Sequence, residues 1–452
     1  MDAPPDIVSD LSSHEFLDSL FDELFPILRS ITGPGLRRSL DIMGRYMPLK
    51  VSIVPTGTQV FDWEVPPEWH LKSARLTGPQ GETIADADVL NLHVLNYSEP
   101  VDKVLSLAEL ENHLHSIPDL PEAVPYVTSY YKRRWGFCIA DTVRRALKPG
   151  NYHAVIDSAF VRGGVPVADS LLPGESVREI MLTSYLCHPS LANNELSGPL
   201  VLLGLYHRLK AWPRRRFTYR FVLNPETIGS LCYLHLNGEA LRKNLHAGLV
   251  LTCLGGPETL SYKKSRRGTS ILDRLVEAEA EKRQIRIRKF DPRGGSDERQ
   301  YCSPGFNLPV GQMARSIYDA YPGYHNSLDN KPFMSIEALV DSINQIEALL
   351  KTTEIADCFA NQSPYGEPQL GKRGLYPNLN SAAIAAHSND TMIDARTFLN
   401  HLLTILSYSD GHYTMLDIAG MIGTELEALR PVVEKLESAG LLKPAGESAF
   451  PD

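Results

Sequence analysis

The sequence has few cysteines and no long hydrophobic run. Its six cysteines, at positions 138, 187, 232, 253, 302 and 358, have no C-x-x-C spacing, and several lie within apolar segments, as reduced core thiols do. No segment approaches the ~18 apolar residues of a membrane span. Residues 1–10 are acidic and lack the basic start of a signal peptide. These absences argue against a disulfide scaffold and predict a cytoplasmic protein without a membrane partner.

The chain also lacks any long run of positive charge. Its formal net charge is -9, its pI is about 5.9, and its Lys/Arg clusters are short, as at 214–216. Nucleic acids attract basic surfaces, so this balance argues against nucleic acid as the main partner. We expect a small molecule or a short peptide as the substrate. The composition is also compatible with a homo-oligomer.

The order of patterns along the 452 residues predicts an α/β protein. Residues 13–48 repeat apolar side chains at helical spacing, whereas 55–165 hold short apolar and aromatic segments broken by Pro and Gly, which indicates a β-rich domain. Residues 178–350 alternate strands with helices, as in a doubly wound sheet. The predicted strands are 179–186, 217–223, 245–253, 286–290 and 308–314, and the predicted helices are 196–211, 227–237, 270–284 and 335–351.

The last part of the chain predicts a winged helix. Residues 352–385 are rich in turn residues and form a predicted connector, after which 398–406, 415–422 and 426–442 give three short amphipathic helices. Between Asp394 and Lys443 there are four Arg/Lys against seven Asp/Glu, whereas a recognition helix needs positive charge against phosphate. We therefore expect an interaction or packing role instead of DNA binding.

Three polar residues stand where an α/β sheet presents its ligands. His188 ends the apolar segment 179–188, Glu226 ends 217–226, and His325 lies in the loop 321–329. Ligands of such folds bind at the carboxyl ends of strands, and histidine nitrogens and carboxylate oxygens are zinc donors. The pattern predicts a zinc hydrolase.

These residues belong to a longer series of motifs that runs through nearly the whole chain. The motifs are Arg29–Gly33, Trp63–Pro66, Tyr130–Cys138, Leu172–Ser176, Cys187–Asn193, Pro225–Ser230, Tyr262–Arg266, Gly295–Tyr301 and Gly366–Leu370. The series resembles a bacterial family of aminopeptidase-like proteins, often found near polysaccharide or natural-product biosynthesis genes. The resemblance implies a zinc-aminopeptidase fold with a doubly wound mixed sheet, an inserted β-rich domain and a C-terminal winged helix.

The same resemblance implies domain boundaries. The α/β domain of zinc-aminopeptidase type would cover 1–58 and 166–385, the inserted β-rich domain 59–165, and the winged helix 386–452.

The resemblance also implies roles for site residues and departures from them. In dinuclear zinc aminopeptidases of this fold, His188 would match the first metal histidine, Glu226 the general base and His325 the last histidine. The departures are Asn194 for a bridging aspartate, Thr227 for the second Glu of a pair, Gly256 near a later aspartate, and Asn326 for a threonine. Because Asn194 removes the bridging charge, we expect one zinc ion per subunit.

The ligand set and the substrate contacts stay open at this point. His188 and His325 would bind the ion with one of Asn194, Glu195, Glu226 or Asp297. Glu226 would accept the proton of the attacking water, and Asp297 is a second catalytic candidate. The candidate substrate contacts are Lys264, Arg266 and Tyr324, of which the two cations suit a carboxylate or a phosphate.

The favoured function is a zinc-dependent, aminopeptidase-like amidohydrolase that acts on a small, biosynthetic substrate. One alternative is acyl transfer or cyclisation with a single metal ion, as glutaminyl-cyclase-like relatives of this fold perform. Another alternative is a metal-free binding scaffold, which the replaced ligands suggest.

Overall fold

The structure, a computed structural model, describes residues 11–318, 321–376 and 395–445. An eight-stranded mixed sheet confirms the predicted α/β class. Across the sheet, the strands are Lys50–Pro55, Gly164–Leu172, Thr218–Asn224, Glu179–Tyr185, Leu245–Leu251, Val310–Ala314, Ser261–Lys263 and Arg286–Arg288. The four strands from Thr218–Asn224 to Val310–Ala314 are parallel, so their carboxyl ends meet at one edge.

Helices connect these strands, and one of them sets the position of a site loop. The longer helices of this part are His14–Leu24, Pro34–Gly44, Ser197–Lys210, Ile228–Asn244, Ile271–Arg283 and Ile336–Ala356. Helix Ser197–Lys210 is buried along its first ten residues, as its apolar sequence predicts. A Cβ on Gly198 would lie 2.3 Å from the Leu251 carbonyl oxygen, so glycine lets this helix start directly against the sheet.

The β-rich segment forms an antiparallel sheet of its own. The strand order is Thr83–Asp86, Glu68–Thr77, Asn151–Val161 and Val101–Ser106. Shorter pairs are Gln59–Val60 with Trp63–Glu64, and Leu114–His115 with Phe137–Cys138. Trp69 and Tyr152 of this segment share one buried core with Met181 and Val250 of the large sheet. This shared core fixes the segment beside the sheet.

The chain divides into two compact units between Glu347 and Ala348. In the second unit, strand Cys358–Asn361 lies between Asp410–Thr414 and Leu442–Pro444, and the helices are Ala395–Tyr408, Met415–Ile422 and Arg430–Ser438. This is the predicted winged helix. Its last helix is shorter than the predicted 426–442, because Leu426–Leu429 form a 3-10 turn and Gly440 adopts a φ of 68°.

The boundary predicted at 385/386 lies outside the described residues, and the other domain boundaries stay predictions. All six cysteines are free thiols and five of them are buried, which confirms the expected reduced core cysteines. Among the described helices, none combines the length and the apolar character that crossing a bilayer requires.

Candidate active site

The site begins where two neighbouring parallel strands end. Strands Glu179–Tyr185 and Thr218–Asn224 are paired so that Tyr185 lies opposite Asn224. The chain continues into His188 on the first strand and into Glu226 on the second. The predicted convergence of these two side chains is observed, because the Glu226 Oε2 atom lies 3.7 Å from the His188 Nε2 atom.

His188 lies between two carboxylates. Its Nδ1 donates to the Glu195 Oε2 atom at 2.7 Å, while its Nε2 faces Glu226. Burial disfavours a charged imidazole, yet neighbouring groups raise the pKa of His188 well above its usual range. The groups that raise it are Cys187, Tyr126 and the hydrogen-bonded Glu195 carboxylate. With Nδ1 bonded to Glu195, the Nε2 atom of His188 is the ring nitrogen that faces Glu226.

A buried arginine balances Glu195. The Nε of Arg29 lies 3.5 Å from the Glu195 Oε1 atom and donates to the His188 carbonyl oxygen at 3.0 Å, and both charged side chains are fully buried. A buried carboxylate needs such a partner, since an unpaired buried charge costs several kcal/mol. Arg29 thus holds Glu195 against the Nδ1 side of His188, as the carboxylates that orient metal-binding histidines do.

Glu226 precedes a strained turn. Thr227 has φ of 61° and ψ of -76°, and the Ile228 N–H donates to the Glu226 carbonyl oxygen at 2.8 Å. These values define a γ-turn of the rare form with positive φ, which is unfavourable for a β-branched residue. The turn reverses the chain at the strand end and directs Glu226 toward His188.

Asp297 holds this turn and does not face the cavity. Its Oδ1 accepts from the Thr227 N–H at 2.8 Å and from the Ser230 hydroxyl at 2.9 Å, and its Oδ2 accepts from the Asn224 amide at 3.1 Å. Burial and the charge of Glu226 raise the pKa of Asp297 to about 7. With its oxygens occupied by these donors, Asp297 has the role of a positioning residue, and its predicted catalytic role has no support from these contacts.

The loop that carries His325 is fixed by backbone bonds. The Tyr126 N–H donates to the His325 carbonyl oxygen at 2.8 Å, and the His325 ring stacks on Tyr324 at 4.0 Å between ring centres. Its ring centre is 5.4 Å from that of His188. Burial lowers the pKa of His325 to about 3, with a further contribution from His188, so its imidazole is neutral.

The Asn194 side chain lies beside a hydroxyl and a thiol. Its Oδ1 is 3.4 Å from the Tyr185 hydroxyl and 4.0 Å from the Cys253 Sγ atom. Its backbone N–H donates to Asp329 at 2.8 Å, and Asp329 also accepts from the Asn193 N–H at 2.7 Å. Asp329 therefore positions this loop.

Cys253 is the residue that the structure places beside Asn194. A Cβ on Gly256, which stands near the later aspartate of the family pattern, would meet the Ser316 and Glu258 side chains. Cys253 is a buried thiol whose pKa burial raises to about 12. The Asn194 side chain thus has a neutral hydroxyl and a neutral thiol as neighbours, whereas a second ion would need carboxylates.

The residues present fit a single zinc ion on the Nε2 side of His188. Two imidazoles that share an ion through bonds of about 2.0–2.1 Å place their ring centres roughly 5 Å apart. The observed 5.4 Å between His188 and His325 agrees with this spacing. Neutral imidazole is also the form that binds metal, which suits His325.

A second cluster fits a metal ion less well. Ligand atoms of Cys187, His188 and Glu195 lie within 4.8 Å of one another. However, the Cys187 Sγ accepts from the Glu226 N–H at 3.3 Å, and Arg29 already places a positive charge beside Glu195. A cation between these groups would meet that guanidinium at close range.

A cavity of about 190 Å³ opens on the site. Its lining consists of Ile31, Trp63, Tyr130, Tyr131, Cys187, His188, Glu226, Thr227 and Ile228. The Glu226 side chain is 27% exposed, compared with 0% for Glu195, so water and substrate reach Glu226 alone of these two carboxylates. The β-rich segment contributes the aromatic wall of Trp63, Tyr130 and Tyr131.

The predicted substrate contacts are placed elsewhere, with one exception. Lys264 pairs with Glu277 at 2.9 Å and Arg266 donates to the Asn307 side chain at 3.2 Å; neither residue lines the cavity. The role of these two cations stays a prediction that no contact supports. Tyr324 does lie at the site, through its stack on His325.

Sequence reasoning missed two residues that shape the site. Arg29 and Asp329 are fully buried and act on residues far from them in sequence. The only available signal for Arg29 was its motif, Arg29–Gly33, and Asp329 had been noted only as the end of the His325 loop.

Comparison with known proteins identifies the family. The family model described as "Domain of unknown function (DUF4910)" matches residues 18–356. The chain belongs to this family. A second model, described as "winged helix-turn-helix", matches residues 357–444.

Relatives of this DUF4910 protein connect it with the aminopeptidase fold. A Clostridium acetobutylicum protein named for polysaccharide biosynthesis and an aminopeptidase-like domain is 39% identical over 427 residues, which cover 94% of this chain and 95% of the relative. A crystal structure named for a peptidase of Clostridium acetobutylicum has a TM-score of 0.83 at 37% identity and covers 96% of this chain and 97% of its own.

A zinc aminopeptidase from Bacillus subtilis matches 77% of this chain and 95% of its own at 14% identity, with a TM-score of 0.56. At that identity the likeness concerns the fold alone. The aminopeptidase-like fold and the winged helix predicted from the sequence are thus confirmed.

Proposed function

We propose that the protein is a zinc-dependent amidohydrolase of aminopeptidase type that uses one ion per chain and cleaves an amide bond of a small or short peptide substrate. The observation that carries this proposal is that His188 and the partly exposed Glu226 meet at one cavity, with the His325 ring centre 5.4 Å from that of His188. When bound at His188 and His325, zinc would supply a Lewis acid for the amide carbonyl and lower the pKa of water.

Glu226 is the residue that would move the proton. Its Oε1 accepts from the Ser296 hydroxyl at 2.6 Å, which leaves Oε2 directed at the His188 Nε2 side. In that position Glu226 would accept a proton from the attacking water and deliver it to the leaving amine. The γ-turn at Thr227 and its contact with Asp297 would limit the movement of this carboxylate.

The charges around His188 and Asn194 support one metal ion instead of two. Arg29 supplies one positive charge on the Nδ1 side of His188, the Asn194 and Cys253 side chains are neutral, and the Asp329 carboxylate is engaged by the Asn193 and Asn194 N–H groups. A second divalent cation would therefore lack the negative donors that it needs.

A direct test compares the zinc-loaded protein with its Glu226→Gln variant on amino-acid anilides and dipeptides. We expect hydrolysis by the unmodified protein and a loss of about 10²-fold or more in kcat for Glu226→Gln, with zinc retained. Glu239→Gln, an exposed substitution on helix Ile228–Asn244, is the matched control and should keep full activity. Equal activity of Glu226→Gln and the control would contradict the proposal, and loss of zinc in Glu226→Gln would make Glu226 a ligand.

A further inference from the structure

The motif Tyr130–Cys138 is unused by the proposed reaction, although it borders the site. Tyr130 and Tyr131 line the cavity at His188 and also a second cavity of about 220 Å³. Beyond the two tyrosines, the second cavity is lined by Glu64, Pro66, Pro67, Tyr97, Ser129, Lys132, Arg133 and Phe160. The two cavities therefore adjoin at one pair of aromatic side chains.

The backbone of this segment is fixed while its side chains are exposed. The Lys132 N–H donates to the Ser129 carbonyl oxygen at 2.9 Å, and the Arg134 carbonyl oxygen accepts from the Glu99 N–H at 3.0 Å. Trp135 is buried and stacks on His113 at 3.6 Å. By contrast, the side chains of residues 131–134 are exposed. The segment thus presents its cations from an ordered turn.

The second cavity carries an excess of positive charge. The Arg133 guanidinium lies 3.6 Å from the centre of the Phe160 ring, which holds it in place through a cation–π contact. In the described part of the chain, no carboxylate lies within ion-pair distance of Lys132 or Arg133. Glu64 is the single acidic residue of the lining, so one positive charge is left over.

We propose that Lys132 and Arg133 form a subsite for an anionic group of the substrate, a carboxylate or a phosphate, next to the amide that is cleaved at Glu226. This inference rests on the proposed function for the place of the amide. Arginine and lysine bind both anions, and the guanidinium can do so in a bidentate manner. The aromatic pair Tyr130–Tyr131 separates the anion subsite from the reacting centre, so the anionic group is a side chain or substituent and not the reacting carbonyl.

The test measures binding by calorimetry to the zinc-loaded Glu226→Gln protein, which does not consume the ligand. The probes are dipeptide amides in matched pairs, leucyl-glutamate against leucyl-glutamine and leucyl-phosphoserine against leucyl-serine, each in both residue orders. We expect one acidic member to bind about tenfold more tightly than its neutral partner at low salt, and the preference to shrink as salt rises. The glutamate pair reports on binding of a carboxylate, and the phosphoserine pair reports on binding of a phosphate.

The Lys132→Gln/Arg133→Gln double variant, measured in the same way, should lose the preference for the acidic probe. Arg134→Gln, an exposed arginine of the same segment outside the cavity lining, is the matched control and should keep it. Equal affinities for acidic and neutral probes, no binding of any probe, or a preference that survives in the double variant would each overturn the subsite. A preference that depends on Lys132 and Arg133 in a protein that hydrolyses no amide would support the subsite and count against the proposed reaction.

Discussion

Glycine at position 227 should give a more stable protein than alanine. Thr227 has φ of 61° and ψ of -76°, and a residue with a Cβ in such a region costs on the order of 1–3 kcal/mol. Glycine avoids this cost but loses about 0.5–1 kcal/mol of extra backbone entropy on folding. We therefore expect the free energy of unfolding of Thr227→Gly to exceed that of Thr227→Ala by about 1 kcal/mol.

Urea unfolding of the two variants, followed by circular dichroism, measures this difference. Both variants lack the threonine hydroxyl and methyl groups, so the comparison isolates the backbone. The control is the same pair of substitutions at Glu239, an exposed position within helix Ile228–Asn244. There the free energy of unfolding of the alanine variant should exceed that of the glycine variant by about 1 kcal/mol. An alanine variant at 227 that is at least as stable as the glycine variant, at equal m values, would refute the strained turn.

Three further outcomes are expected. Asp297→Ala removes the acceptor of the Thr227 N–H, while the Ser230 hydroxyl and the Asn224 amide keep a backbone carbonyl as a second acceptor, so it should lower the free energy of unfolding by about 2 kcal/mol in urea melts, and Asp297→Asn should cost less. Asn194→Asp restores a carboxylate and should raise zinc content above that of the unmodified chain, as elemental analysis would show. The full chain should not bind duplex DNA at sub-micromolar concentration in fluorescence anisotropy, because acidic residues outnumber basic ones between Asp394 and Lys443.

Each of these has a contrary result. If the free energy of unfolding of Asp297→Ala equals that of the unmodified chain, the positioning role of that carboxylate is refuted. An unchanged zinc content in Asn194→Asp would show that charge at this position does not limit metal uptake. Salt-sensitive DNA binding would contradict the role expected for the winged helix.

Strands with clear apolar patterns were predictable to within a residue or two. The predicted strand 179–186 is observed as Glu179–Tyr185, because a run buried on both faces of a parallel sheet is apolar throughout. The helix predicted at 227–237 in fact continues to Asn244. Gly238 follows the predicted end directly, and a Cβ there would lie 2.5 Å from the Phe306 ring, so this glycine permits close packing within the helix.

Site residues were predictable where a strand end positioned them, and not where distant chain segments met. His188 and Glu226 follow adjacent strands, so their proximity follows from the alternation of elements. Arg29 reaches its partner Glu195 only through packing of an early segment against the sheet, which no local pattern encodes. The same limit applies to the cations. No local pattern shows that Lys264 is paired with Glu277, or that Lys132 of the β-rich segment borders the second cavity.

The central claim is tested most directly by the zinc content of the purified chain. Elemental analysis should give one zinc ion per chain. His188→Ala and His325→Ala should each lose that ion while melting cooperatively, because the large sheet does not depend on a metal at its edge. Two ions per chain, no ion after incubation with zinc, or one ion retained when both histidines are replaced would contradict the account.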